Sequence, residues 1–260
     1  MKVIFIGDIY GKTGRIALKN NMSLLKDKYS PDFVIANGEN TDKGKGITPT
    51  LLDELLSFGV DVVTSGNHIY AKKEILIPLE GNIPLLRPIN YSKACPGKGY
   101  VILSKNGVSL AVINVSGRVY MDPCDNPFDA VEEILPEIKK NVKNIIVDFH
   151  GEATSEKTAF AWHFDGRVSA VIGTHTHVQT ADERILPFGT GFITDAGMTG
   201  PYEGIIGASR DKVIDRFLTG MPAYFTAQEG IGQINGVFLD LCENTGKTLH
   251  IERIYYVEKD

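Results

Sequence analysis

"IFIGDIYGKTGR", residues 4–15, runs from an apolar stretch into three spaced glycines, and its reading decides what lies at the tip of the first strand. A nucleotide-binding P-loop needs four residues between its glycines so that successive N–H groups can wrap the phosphates. Only Asp8, Ile9 and Tyr10 lie between Gly7 and Gly11. Asp8 would also repel an anion unless a cation intervened. The stretch therefore reads as a strand ending at the edge of a cation site, and the other ligands must come from elsewhere in the chain.

Outward from this strand, apolar runs at Val3–Ile6, Phe33–Ala36, Val60–Thr64, Ile145–Phe149 and Ala170–Ile172 alternate with helical periodicity at Arg15–Lys28, Pro49–Ser57, Pro127–Lys140, Glu156–Phe164 and Arg210–Leu218. Continuous apolar strands suit a sheet covered on both faces. "KGYVIL" with "SLAVINV", "TGFITDAG", and "NGVFLDL" with "LHIERIYYV" read as antiparallel pairs, with Gly107 and Thr245-Gly246 as turns. The expectation is a mixed α/β protein with helices outside one or two central sheets, in one domain over 1–260.

Composition narrows the function. A hydrophobic content of 43% with 23% charged residues is that of a globular enzyme. The net charge of −5 without a basic run argues against a nucleic-acid groove as partner. Neither a signal peptide nor a membrane-length apolar run is found. Cys95, Cys124 and Cys242 are odd in number and widely spaced, which suits free thiols in a reducing compartment. A cytoplasmic location is expected.

The polar residues are more informative than the elements. The parallel-type strands end in "GD" (7–8), "NGEN" (37–40), "SGNH" (65–68), "DFH" (148–150) and "GTHTH" (173–177). Ligands of open α/β sheets bind beyond the carboxyl ends of strands, so five such ends converging would build one pocket. In extended backbone His175 and His177, two residues apart, would project to the same side. Taken singly each cluster has an ordinary explanation: Asp8 as a helix cap, Asn40 or Asn67-His68 as turn residues, the two histidines as hydrogen-bonded loop residues. Four of the six histidines (His68, His150, His175, His177) nevertheless fall in these clusters. His163 reads as packing or surface and His250 as structural.

Nitrogen and oxygen ligands without thiolate suit iron, manganese or zinc, iron first. One bridging carboxylate with flanking histidines and an amide would hold two metals roughly 3.5–4 Å apart, an arrangement used for phosphoester hydrolysis.

The ordered series "GD", "GEN", "GNH", "DFH", "GTHTH" resembles the calcineurin-like metallophosphoesterases. The longer runs "DFHGEATSEK", "GTHTHVQTADERILP" and "TDAGMTGPY" resemble their YmdB-like branch of 2′,3′-cyclic nucleotide 2′-phosphodiesterases, over nearly the whole chain. The resemblance implies a four-layer αββα sandwich with two mixed sheets. It implies two transition-metal ions per chain, the first held by Asp8, Glu39, Asn40 and His177, the second by Glu39, Asn67, His150 and His175. Glu39 would bridge, and His68 would stay off the metals and face the substrate phosphate. Tyr10 stands where the wider superfamily carries a histidine, and Glu39 where it carries a bridging Asp.

The mechanism expected is in-line attack on phosphorus by a hydroxide held between the metals, with His68 as general acid. The resemblance implies that the product is the 3′-nucleotide. Two alternatives stay open: a phosphatase or nucleotidase acting on monoesters, and a nucleotide-sensing regulator with slow turnover. A homo-oligomer is expected from the resemblance and from the apolar run "FLTGMPAYF" (217–225). The substrate walls are sought near Thr154, Ser155 and the Gly197–Tyr202 loop.

Overall fold

The structure is a computed structural model that describes residues 1–259. The chain opens with β1 (Lys2–Ile6), β2 (Asp8–Ile9), α1 (Gly11–Tyr29), β3 (Phe33–Asn37), α2 (Pro49–Ser57) and β4 (Val62–Thr64). A short helix α3 (Leu76–Leu79) precedes the hairpin of β5 (Tyr100–Lys105) and β6 (Val108–Ser116), followed by α4 (Pro127–Asn141), β7 (Ile145–His150), α5 (Thr154–His163) and β8 (Ala170–Thr174). After β9 (Arg184–Ile185), β10 (Gly191–Ile193), β11 (Met198–Pro201) and α6 (Arg210–Thr219), the hairpin of β12 (Gly232–Leu241) and β13 (Thr248–Val257) ends the fold.

Alternation along β1 explains the layering. Val3 and Phe5 point one way, into a core shared with Val112, Ile146 and Ile172 of the second sheet. Ile4 and Ile6 point the other way, against Leu18, Met22 and Leu25 of α1 and Leu55 of α2. On the far side Val147 and Phe149 of β7 face Val131, Leu135 and Ile138 of α4 and Phe160 of α5. The molecule is thus an αββα sandwich. Its first sheet has seven strands in the order β2-β11-β12-β1-β3-β4, with β13 also on β12; its second has six, β5-β6-β7-β8-β10-β9.

Both sheets are mixed. β1, β3 and β4 are mutually parallel, as are β6, β7 and β8. The β5–β6 and β12–β13 hairpins are antiparallel, the first turning through Asn106 and Gly107, both at positive φ. "TGFITDAG" differs from expectation: its strand β10 pairs parallel to β8 and meets only the two-residue β9 antiparallel. Helix α1 begins at Gly11, four residues early, with Tyr10 and not Asp8 at its N-cap position and no side-chain cap there. Among the described residues no helix is long and apolar enough to cross a membrane.

Two polar ties align the rims of the sheets. Asn114 of β6 accepts from Ser65 N–H (3.0 Å) and donates to Ser65 O (2.9 Å), while Asn37 of β3 donates to Asp148 of β7 (3.0 Å). The carboxyl ends of β1, β3, β4, β7 and β8 therefore open on one place.

Candidate metal centre

The residues singled out at those five ends are brought together. Glu39 lies in the middle, essentially without solvent contact. On one side Asn40 Nδ2 is 3.1 Å from Glu39 Oε1 and 3.1 Å from His177 Nε2, and His177 Nε2 is 3.8 Å from Asp8 Oδ1. On the other side His150 Nε2 is 3.3 Å from Glu39 Oε1, 3.1 Å from Asn67 Oδ1 and 3.1 Å from His175 Nδ1. Glu39, His150 and His175 present ligand atoms within 4.8 Å of one another. His68 joins from above: Nδ1 donates to Asn40 Oδ1 (2.8 Å), lies 3.2 Å from Glu39 Oε1, and its backbone N–H donates to Glu39 Oε2 (3.0 Å).

Each ring is held in one orientation. Thr174 Oγ1 donates to Asp148 Oδ1 (2.6 Å), so it accepts from His150 Nδ1 (2.9 Å), and the lone pair of neutral His150 lies on Nε2, facing the centre. His177 Nδ1 donates to Ile206 O (2.8 Å), which turns its Nε2 inward in the same way. Gly66 is required by contact, because a Cβ there would collide with the His150 ring.

The "THTH" backbone is not extended. His175 and His177 have φ of +102° and +66°, and left-handed backbone, not strand alternation, aims their rings at the same cavity. Conformations of this kind cost about 1–3 kcal/mol each and persist only where surroundings impose them. Here Asp195 does so: its Oδ2 accepts from Thr176 N–H (3.0 Å) and Oγ1 (2.8 Å), and from the fully buried Lys157 Nζ (2.8 Å). Lys157 also donates to Thr174 O (2.7 Å), and His175 N–H donates to Asp8 Oδ2 (3.2 Å).

The electrostatics call for a cation. Among the described residues, Asp8 Oδ1 is buried with no hydrogen-bond partner, a costly state for a carboxylate oxygen. Burial raises the Asp8 pKa above its ordinary value. Burial opposes charge on Glu39 as well, yet His150 beside it holds that carboxyl well below the usual range. Reciprocally, burial disfavours a charged His150, but Glu39, reinforced by Asp8 and Asp148, raises it to about 9. Burial and then the charge of His150 push His175 down to about 3. The carboxylates thus draw one positive charge into a nest of nitrogen and oxygen lone pairs, which is what a metal ion supplies. The residues fit a metal site.

Several contributors escaped the sequence reading. Asp148 and Thr174 orient His150, Glu152 Oε2 sits 3.1 Å from His175 Nε2, and Lys157 with Asp195 fixes the histidine loop. Asp148, Glu152, Lys157 and Asp195 all stand inside runs quoted above, but nothing local marks Lys157 and Asp195 as partners. The cavity over the centre, about 370 Å³, is walled by Tyr10, Glu152, Ile206, Ala208 and Phe225, and not by Thr154 or Ser155, which begin α5.

An αββα sandwich with histidines, carboxylates and amides at the adjoining rims of its two sheets defines the calcineurin-like class of fold. A family model described as "YmdB-like protein" matches residues 4–254, and the chain belongs to that family. Over 254 residues it is 49% identical to the 2′,3′-cyclic-nucleotide 2′-phosphodiesterase of Bacillus subtilis (strain 168), covering 98% of this chain and 96% of that one. The crystal structure of a hypothetical protein from Thermus thermophilus superposes with a TM-score of 0.93 at 42% identity, covering both chains fully. That of a novel phosphatase of Mycoplasma pneumoniae gives 0.93 at 40% identity, covering 100% of this chain and 94% of that one.

Proposed function

We propose that this chain is a metal-dependent phosphodiesterase that hydrolyses 2′,3′-cyclic nucleotides to 3′-nucleotides. One observation supports the chemistry: the buried Glu39 Oε1 meets both Asn40 Nδ2, which neighbours His177 and through it Asp8, and His150 Nε2, which neighbours Asn67 and His175. On this reading two metal ions share Glu39, iron first, with manganese or zinc as alternatives. The cyclic substrate and the bond cleaved rest on the Bacillus subtilis relative.

Bound metals would neutralise the phosphoryl oxygens and lower the pKa of an attacking water from about 15.7 towards 7. The chain's own part is positioning and proton transfer. Asn40 and Glu39 hold the His68 ring through Nδ1, and Nε2 has no protein partner among the described residues. The His68 side chain is 26% exposed, so Nε2 can reach a ligand in the cavity. As the imidazolium, His68 gives its Nε2 proton to the ribose 2′ oxygen while the P–O2′ bond breaks and the water oxygen bonds to phosphorus. The proton shed by the water restores His68, and the phosphate stays on the 3′ oxygen.

His68→Ala is the test. It should keep its metals and lose about 10²–10⁴ in kcat on 2′,3′-cyclic AMP. Full turnover in that variant would remove His68 from the chemistry. Inert cyclic nucleotides alongside rapid monoester cleavage would move the assignment to a phosphatase.

Phe217, Leu218, Met221 and Tyr224 are exposed on and beyond α6, and we assign this face to a homo-oligomeric contact. Light scattering that finds a monomer at micromolar concentration would reject it. The chain is taken as one cytoplasmic domain over 1–260.

A further inference from the structure

The apolar run "FLTGMPAYF" does not all face outward. Residues 209–226 form an arm closed at its base, where Ser209 N–H donates to Thr226 O (2.8 Å) and Ala208 bridges Ala227 antiparallel. Thr13 of α1 donates to Gln228 O (3.2 Å) and ties this base to the body. At the tip Phe217 and Tyr224 are 84% and 87% exposed, whereas Phe225, beside the base, is 39% exposed. Phe225 lines the same 370 Å³ cavity as Glu39, His68, His175 and His177. The Arg216 guanidinium lies over its ring, 5.5 Å from the centroid, a cation–π contact that holds the ring in place.

The cavity consequently has two unlike walls. One is the carboxylate, amide and imidazole wall of the metal centre. The other, formed by Phe225, Ile206, Ala208 and Tyr10, is apolar and aromatic. Its form is fixed: the Tyr10 ring packs so closely on Gly44 and Gly207 that a Cβ at either would collide with it, and it meets the His177 ring edge-on at 5.5 Å. An apolar wall gives nothing to a phosphate. It matches a ligand that carries a flat, apolar-faced group beside its phosphoester.

We propose that Phe225 is the platform on which the nucleobase of the substrate stacks, with Ile206 at its edge. This rests on the cyclic-nucleotide reading above and adds to it the group that recognises the base. Stacking needs only a π-face, so all bases are accepted and purines, with more ring area, bind better than pyrimidines.

The experiment compares kcat and KM of wild type, Phe225→Ala and Phe225→Trp, each metal-loaded, on 2′,3′-cyclic AMP, 2′,3′-cyclic UMP and the base-free 1-O-methylribose 2′,3′-cyclic phosphate. Phe225→Ala should raise KM for cyclic AMP about tenfold or more, with a smaller rise for cyclic UMP and none for the base-free ester. Its kcat and metal content should stay within about twofold of wild type, and Phe225→Trp should restore the KM. An equal loss on the base-free ester would make Phe225 a mere support of the cavity and overturn the proposal, as would an unchanged KM for both nucleotides. If wild type cleaves monoesters but no cyclic nucleotide, the functional reading fails separately. The same comparison of 3′-AMP with 1-O-methylribose 3-phosphate then decides the platform.

Discussion

Oε1 of Glu39 lies 3.3 Å from Nε2 of His150, and both side chains are buried. With Nδ1 of His150 committed to Thr174, a neutral ring meets the carboxylate lone pair to lone pair. Only a cation or a proton between them resolves that contact. Asn40 Nδ2 reaches the same Glu39 oxygen and also His177 Nε2, at 3.1 Å each, so on the proposed reading Glu39 serves both ligand groups.

Glu39→Gln should therefore lose nearly all of both metals, whereas Asn67→Ala, which removes one donor from one group, should keep the metal on the Asp8 side. Elemental analysis of the purified variants reads the difference. Full occupancy in Glu39→Gln would show that this residue is not shared.

The Thr174 hydroxyl makes a second prediction, because it links His150 Nδ1 to Asp148 and sets which nitrogen faces the centre. Thr174→Val is expected to weaken metal affinity about 10- to 100-fold, with activity recovered at high metal concentration. Competition against a chromogenic chelator measures this. Unaltered affinity would mean that the ring is positioned by packing alone.

A third expectation concerns Lys157, whose Nζ reaches Asp195 and the Thr174 carbonyl from inside the protein. Lys157→Met leaves a buried carboxylate without its cation, a loss of about 3–5 kcal/mol, or a fall in Tm on the order of 10 °C for a domain of this size. Calorimetry on the metal-saturated protein would detect it. A shift below about 2 °C would show that the hydrogen bonds that Asp195 accepts from Thr176 and from Gly197 N–H (2.9 Å) suffice for it.

What was legible in the sequence was local in character. Apolar runs of strand length mark β1, β3, β7 and β8, and the polar residues just beyond them are the ones that meet at the rim, because a parallel α/β sheet puts all such ends on one side. The "THTH" pairing was read from strand alternation, but positive φ at both histidines delivers the rings, and that geometry is imposed by Asp195, some twenty residues later, through Thr176. The segment of β10 reads in the sequence as a member of an antiparallel pair; its parallel seat beside β8 depends on tertiary packing. The Ile206 carbonyl and the Phe225 ring reach the cavity on a segment with no polar motif of its own, so periodicity and spacing give no signal for them.

The most direct measurement is of the product made from 2′,3′-cyclic AMP by the metal-loaded protein, resolved by chromatography against both monophosphates. Cleavage at the 2′ oxygen, with His68 protonating the leaving group, yields 3′-AMP and no activity after the metals are removed. Formation of 2′-AMP would contradict the bond assignment, and an untouched substrate, or turnover that survives complete metal removal, would contradict the central claim.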